Sequence, residues 1–186
     1  MLKNVLGIVG LLIVGLACEA HTATAAETLV VGKPGTPCPD AQYTTINAAV
    51  KAAARGDEIA IGPALYDEQI TLTKPLWLHG RKVDGIGRIL IQPSSFTVNG
   101  LGFEAVITVL NPEVVTIDNL AVDASKNAVA ACTPGLAAIH FHNASGEIKN
   151  SAIFGAQLTN PLGCATGLPF GNGFGVQIDA DKPGSY

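Results

Sequence analysis

At 186 residues, with 48% hydrophobic and 14% charged content, the chain is long and apolar enough to bury a core and is not a disordered polymer. A net charge of −4, with eleven scattered Lys and Arg residues and no basic stripe, excludes nucleic acid as an expected partner. Twenty-one glycines and only 5% aromatic residues point to a turn-rich, repetitive fold.

The first element in chain order reads as a removable one. "MLKNVLGIVGLLIVGLAC" carries one Lys and then an apolar run over residues 5–17, too short for a comfortable membrane span. Ala23-Thr24-Ala25 supplies an A-x-A cleavage site, so residues 1–26 are expected to be a secretory signal peptide and residues 27–186 the mature domain. The expected location is secreted or periplasmic, of bacterial type, with no membrane span after cleavage. A lipid anchor on Cys18, placing the chain as an outer-membrane lipoprotein, is the competing reading. Gly15 stands where such signals prefer Leu. Export permits disulfides, and Cys38, Cys132 and Cys164 then leave one thiol unpaired.

"YTTINAAVKAAARGDEIAIGP" predicts a short amphipathic helix. Thr44 or Thr45 caps it, Ile46, Ala49, Val50 and Ala53 share one face, and Gly56 supplies a left-handed stop. "EIAIGP" then alternates as a strand, and no later segment shows a helical period.

The remainder repeats. "QITLTKPLWLHG", "VITVLNPEVVTIDN", "AIHFHNASGEIKN" and "VQIDADKPGSY" each open on a strand with an inward pair: Ile70/Leu72, Ile107/Val109, Ile139/Phe141 and Val176/Ile178. A turn follows, then a second strand with Leu78, Ile117 and Ile148 inward, ending at Gly80, Asn119 and Asn150. The third strand falls in "RILIQP", "LAVDAS" and "SAIFGA". Three short strands per repeat describe one coil of a parallel β-solenoid, whose core exists only when coils stack. Asn119 and Asn150 are expected to form a structural ladder at a bend, because Asn tolerates positive φ. The fold class is therefore all-β: a right-handed parallel β-helix whose short N-terminal helix covers the open end. The final coil begins at residue 176 without a closing segment, which reads as truncation at the C-terminus.

These residues resemble the right-handed parallel β-helix proteins of the pectin lyase-like superfamily. The family's capping segment and first coil are matched by Tyr43, Thr45, Ile46, Ala49 and Val50; by Gly56-Asp57; by Tyr66 and Glu68; and by Lys74-Pro75-Leu76. The resemblance covers residues 43–80 closely and the later coils by pattern. It implies an exported protein that binds or processes an extracellular polysaccharide on the face of the first strands. If it is an enzyme, polysaccharide lyase, glycoside hydrolase or carbohydrate esterase chemistry is implied, and Ca²⁺ enters by the resemblance only. The fold also hosts non-catalytic surface and adhesive proteins.

On that face Thr108, His140, His142, Gln177 and Asp179 are the candidate substrate-facing residues. If Ile139 and Phe141 point inward, the two imidazoles point out, beside Asp179 one coil later. Histidine suits acid/base work near neutral pH, and the plainer reading is a solvated polar face. No complete catalytic motif is present, no metal site is assigned and no cofactor is evident in the residues themselves. Asp118, beside the ladder Asn119, reads as structural, as do Tyr66 and Glu68. Asn143 reads as a turn residue. Arg81, Lys82 and Arg88 lie away from the face. Stacked loops would bring Cys132 and Cys164 within disulfide reach and leave Cys38 free. The sequence does not fix an oligomeric state.

Overall fold

The structure, a computed structural model, describes residues 25–82, 88–111, 114–130, 133–159 and 173–181. The expected signal segment, Cys18 and the expected Cys132–Cys164 pairing fall outside the described residues, apart from the last two positions of that segment. In chain order the elements are β1 (Thr28–Val31), α1 (Ile46–Ala52), β2 (Glu58–Ile61), β3 (Leu65–Tyr66), β4 (Ile70–Leu72), β5 (Trp77–Gly80) and β6 (Leu90–Ile91). They continue with β7 (Phe103–Leu110), β8 (Val115–Asp118), β9 (Ala121–Asp123), β10 (Gly135–His142), β11 (Gly146–Lys149), β12 (Ala152–Phe154) and β13 (Phe174–Asp179).

The strands form three parallel sheets, ordered β1-β2-β5-β8-β11, β4-β7-β10-β13 and β3-β6-β9-β12. After β2 the chain visits the sheets in rotation, so each circuit lies on the previous one, an arrangement compatible with a solenoid. Register follows the predicted columns. Ile70 pairs with Ile107, Ile107 with Ile139, and Ile139 with Val176; Leu72, Val109, Phe141 and Ile178 form the neighbouring column. Ile70, Leu72, Ile107, Val109, Ile139 and Phe141 are buried, whereas Val176 and Ile178 on the last described strand are exposed. Each fully buried Ile, Leu or Val contributes about 1.5–3 kcal/mol, which makes these columns the main source of stability.

The helix is shorter than its sequence signal. It ends at Ala52, and Gly56, at φ +88, turns the chain into β2 instead of closing the helix. Thr45 is the N-cap, its Oγ1 accepting from the Ala48 amide at 3.2 Å. Glu68 reaches back from the first circuit and accepts the Ile46 and Asn47 amides at 3.0 and 2.9 Å. At the other end the Lys74 ammonium donates to the Ala53 carbonyl. Residues that carried the family resemblance thus tie the helix to the sheets. Tyr66 belongs to the same frame, wholly buried with its hydroxyl donating to the Gly62 carbonyl. The buried face of Ile46, Ala49 and Val50 packs against β1, β2 and β4. Strand β1, not foreseen from sequence, adds to the outer edge of β2.

Two Asn columns set the bends. Asn111 and Asn143 leave the second sheet, and Asn119 and Asn150 leave the first, all with φ between 49° and 57°. The expected ladder differs in its partners: the asparagines do not bond one another. Asn119 Nδ2 donates to the Gly80 carbonyl at 2.6 Å, and Asn150 Nδ2 donates to Asp118 Oδ1 at 2.8 Å. Gly80 replaces Asn at this bend because a Cβ there would meet the Asn119 carbonyl at 2.1 Å.

Two outcomes are expected. Ile139→Asp places a charge in the central column and abolishes the cooperative thermal transition followed by circular dichroism. Asn119→Ala costs about 2–3 kcal/mol in urea unfolding, combining left-handed backbone strain with a lost hydrogen bond; Asn119→Gly, which loses only the bond, costs about 1 kcal/mol.

Candidate functional site

Alternation along β10 aims His140 and His142 away from the Ile139/Phe141 column, as the sequence implied. Register then sets His140 between Thr108 and Gln177, and His142 between Leu110 and Asp179. The face at His140 is not solvated. The ring is wholly buried, its centroid 4.3 Å from that of Phe103. Thr108 is also buried. The cover is the segment before β7: Gln69 pins Thr97 through its amide and hydroxyl at 2.7 and 2.9 Å, and Asn99 lies over the histidine. Gln177 stays half-buried in the row without joining the polar network shown for the described residues.

The hydrogen bonds order the protons. Asn99 Oδ1 accepts the Leu101 and Phe103 amides, both at 3.0 Å, so its Nδ2 must face His140 Nδ1, 3.2 Å away. That nitrogen therefore accepts, and the ring proton sits on Nε2, which donates to Asp179 Oδ2 at 2.9 Å. His142 Nδ1 lies 2.5 Å from Asp179 Oδ1. One carboxylate bridges two imidazoles. On its far side His142 Nε2 is 3.1 Å from Asn143 Nδ2 and 3.4 Å from Asp181 Oδ1. Asn143 is itself oriented by accepting the Asp181 amide at 2.9 Å. The Asp179 side chain retains 33% exposure and that of His142 12%, so solvent reaches this end of the row.

No protein-family model and no curated protein sequence matches the chain.

The chemistry open to this cluster follows from its geometry. The hydrogen bond to Asp179 raises the pKa of His142 against a smaller opposing effect of burial, with Asp181 adding to the rise. For Asp179 burial acts upward, but the bonds from His142 and His140 together outweigh it and hold the carboxyl below its ordinary value. An imidazole whose Nδ1 is held by a carboxylate, and whose Nε2 meets Asn143 and the exposed Asp181 carboxylate, can accept or donate a proton once a ligand displaces those partners.

A metal ion fits less well. Ligand atoms of His140, His142 and Asp179 all lie within 4.8 Å of one another. Binding through His140 Nε2 would force a proton onto Nδ1, facing the Asn99 amide donor, and freeing Asn99 to turn would strand two backbone amides. Ca²⁺, which takes six or more oxygen ligands, does not match two imidazoles and a single carboxylate.

Elsewhere the structure assigns Asp118 to the frame. Asp118 is buried, accepting from Asn150 and lying 3.2 Å from His79 Nδ1, and these bonds keep its pKa low. Arg81 forms an ion pair with Asp40 at 2.8 Å, outside the His140–His142–Asp179 cluster. Cys38 is buried and free. Sequence reasoning missed Asn99 and Phe103, which lie in a segment without periodicity. It also missed Glu104, whose Oε2 is buried without a partner among the described residues and whose pKa burial raises.

The sign of the pH effect is fixed by both shifts. The raised pKa of His142 contributes stability fully present below about 6.5 and lost as pH rises through its folded value. The lowered pKa of Asp179 contributes stability present above about 3.8 and lost as pH falls through its folded value. The cluster's contribution is thus greatest between these limits. Chemical unfolding across pH 3–9 is expected to show Asp179→Asn losing most stability relative to wild type in that window, with the difference narrowing on either side.

Proposed function

We propose that the chain is an exported right-handed parallel β-helix protein of the pectin lyase-like type that binds or processes an extracellular polysaccharide on the β4-β7-β10-β13 face. The observation supporting this reading is the Asp179-held imidazole of His142, on the face where the resemblance locates substrate. A sugar chain lying along the row would meet Asp179 and His142 at its accessible end, beyond the Asn99 cover. His142 would exchange a proton with the sugar, and Asp179 would keep the ring oriented and offset its charge. Sugar hydroxyls also satisfy a carboxylate well, so the same residues serve binding without turnover.

A second reading has its own support. His140 uses both nitrogens, one toward Asn99 in the covering segment and one toward Asp179 on the adjacent strand, and Asp179 uses both oxygens toward β10. A cluster so occupied acts as a strut, which favours a non-catalytic surface or adhesive protein.

Incubating the mature chain with acidic and neutral polysaccharides separates the two. The proposed reading expects glycan binding, new reducing ends, unsaturated products or released methanol with at least one of them. Where turnover is seen, His142→Gln is expected to reduce it about 10²-fold or more while leaving the circular dichroism spectrum unchanged. Absence of binding and of every product across the panel would overturn the polysaccharide reading and leave the strut.

A further inference from the structure

The outward face of the β1-β2-β5-β8-β11 sheet carries a second surface, independent of the histidine cluster. Trp77, the single tryptophan of the chain, occupies the first position of β5 and is 39% exposed. Alternation makes that position outward, since the next residue, Leu78, is wholly buried. Register aligns Trp77 with Glu58 on one side and Thr116 on the other, and Thr116 with Glu147. The parallel row holds His79, Asp118 and Lys149. The Trp77 and His79 rings are tilted against each other at 5.0 Å, so His79 supports one edge of the indole.

We propose that this double row is a docking strip for a neutral glycan chain, with Trp77 as its stacking platform. Three features select that occupant. Sugar rings present an apolar C–H face and a rim of hydroxyls, which matches an exposed indole set between acceptors and donors at successive rungs about 4.8 Å apart. The strip's carboxylates, Glu58, Asp118 and Glu147, outnumber its one lysine, and Lys149 is already paired with Glu147 at 3.1 Å. An acidic polysaccharide would be repelled, whereas neutral hydroxyls donate well to carboxylates. A single aromatic in a polar row offers too little apolar area for a stable protein interface, which typically buries about 1,600 Å² in total.

The strip stands whether or not the His142 face binds sugar, and the readout keeps the two apart. Because Trp77 is the only tryptophan, its fluorescence and its quenching by acrylamide report this strip directly. Neutral oligosaccharides built from glucose, mannose or N-acetylglucosamine, and oligogalacturonate as the acidic counterpart, are titrated into the mature chain. The expected result is protection with at least one neutral oligomer, lowering the quenching constant about twofold or more, and none with oligogalacturonate. By calorimetry Trp77→Ala is expected to weaken that binding about tenfold or more, and Trp77→Phe less. Failure of every neutral oligomer to protect the indole in folded protein would overturn the proposal. Protection by oligogalacturonate in preference to the neutral set would do the same.

Discussion

In-register parallel stacking is the constraint on which the rest of the molecule depends. A strand's side chains alternate with a period of two, so a slip of one residue between circuits would turn Ile139 outward and drive His140 into the core. The registers Ile70–Ile107–Ile139–Val176 and Leu72–Val109–Phe141–Ile178 leave no such freedom. Asn111, Asn119, Asn143 and Asn150 help hold them, each taking a left-handed conformation that fixes where one sheet hands the chain to the next. The apolar columns supply the free energy, and the bends supply the count.

The same register assembles the polar faces. Residues one circuit apart in space lie far apart in sequence, 39 residues in the His140–Asp179 bond, so neighbours with no local relation meet as rungs. On one face this brings an aspartate between two histidines, one of which, His140, lies under a cover anchored by Gln69. On another it brackets the indole of Trp77 with carboxylates and hydroxyls. Their electrostatics differ. Around His142 hydrogen bonds shift protons, whereas around Trp77 the Asp118 carboxylate is already committed to Asn150 and His79 and serves as a fixed acceptor.

How much of this was legible in the sequence depended on periodicity. The inward columns, the third strands and the outward aim of His140 and His142 follow from alternation, which depends only on local order. The capping helix was legible for the same reason, although its end was not. Lys74, twenty-one residues downstream, caps Ala53 and takes over the role expected of Gly56. The burial of His140 was not legible, because Asn99 and Phe103 lie in a segment whose path is set by contacts with Gln69 and with its own tight turn. The ladder partners were missed similarly: positive φ at Asn119 is a local property, but the choice of the Gly80 carbonyl over another Asn is tertiary.

Coupling between His142 and Asp179 is the most direct test, because it exists only if β10 and β13 pair in the stated register. A double-mutant cycle on unfolding free energy, using His142→Ala, Asp179→Ala and the double variant near pH 6, measures it. The account predicts non-additive losses, with a favourable interaction of about 0.5 kcal/mol or more. Strictly additive losses would mean that the two side chains do not meet, and would contradict both the register and the site built on it.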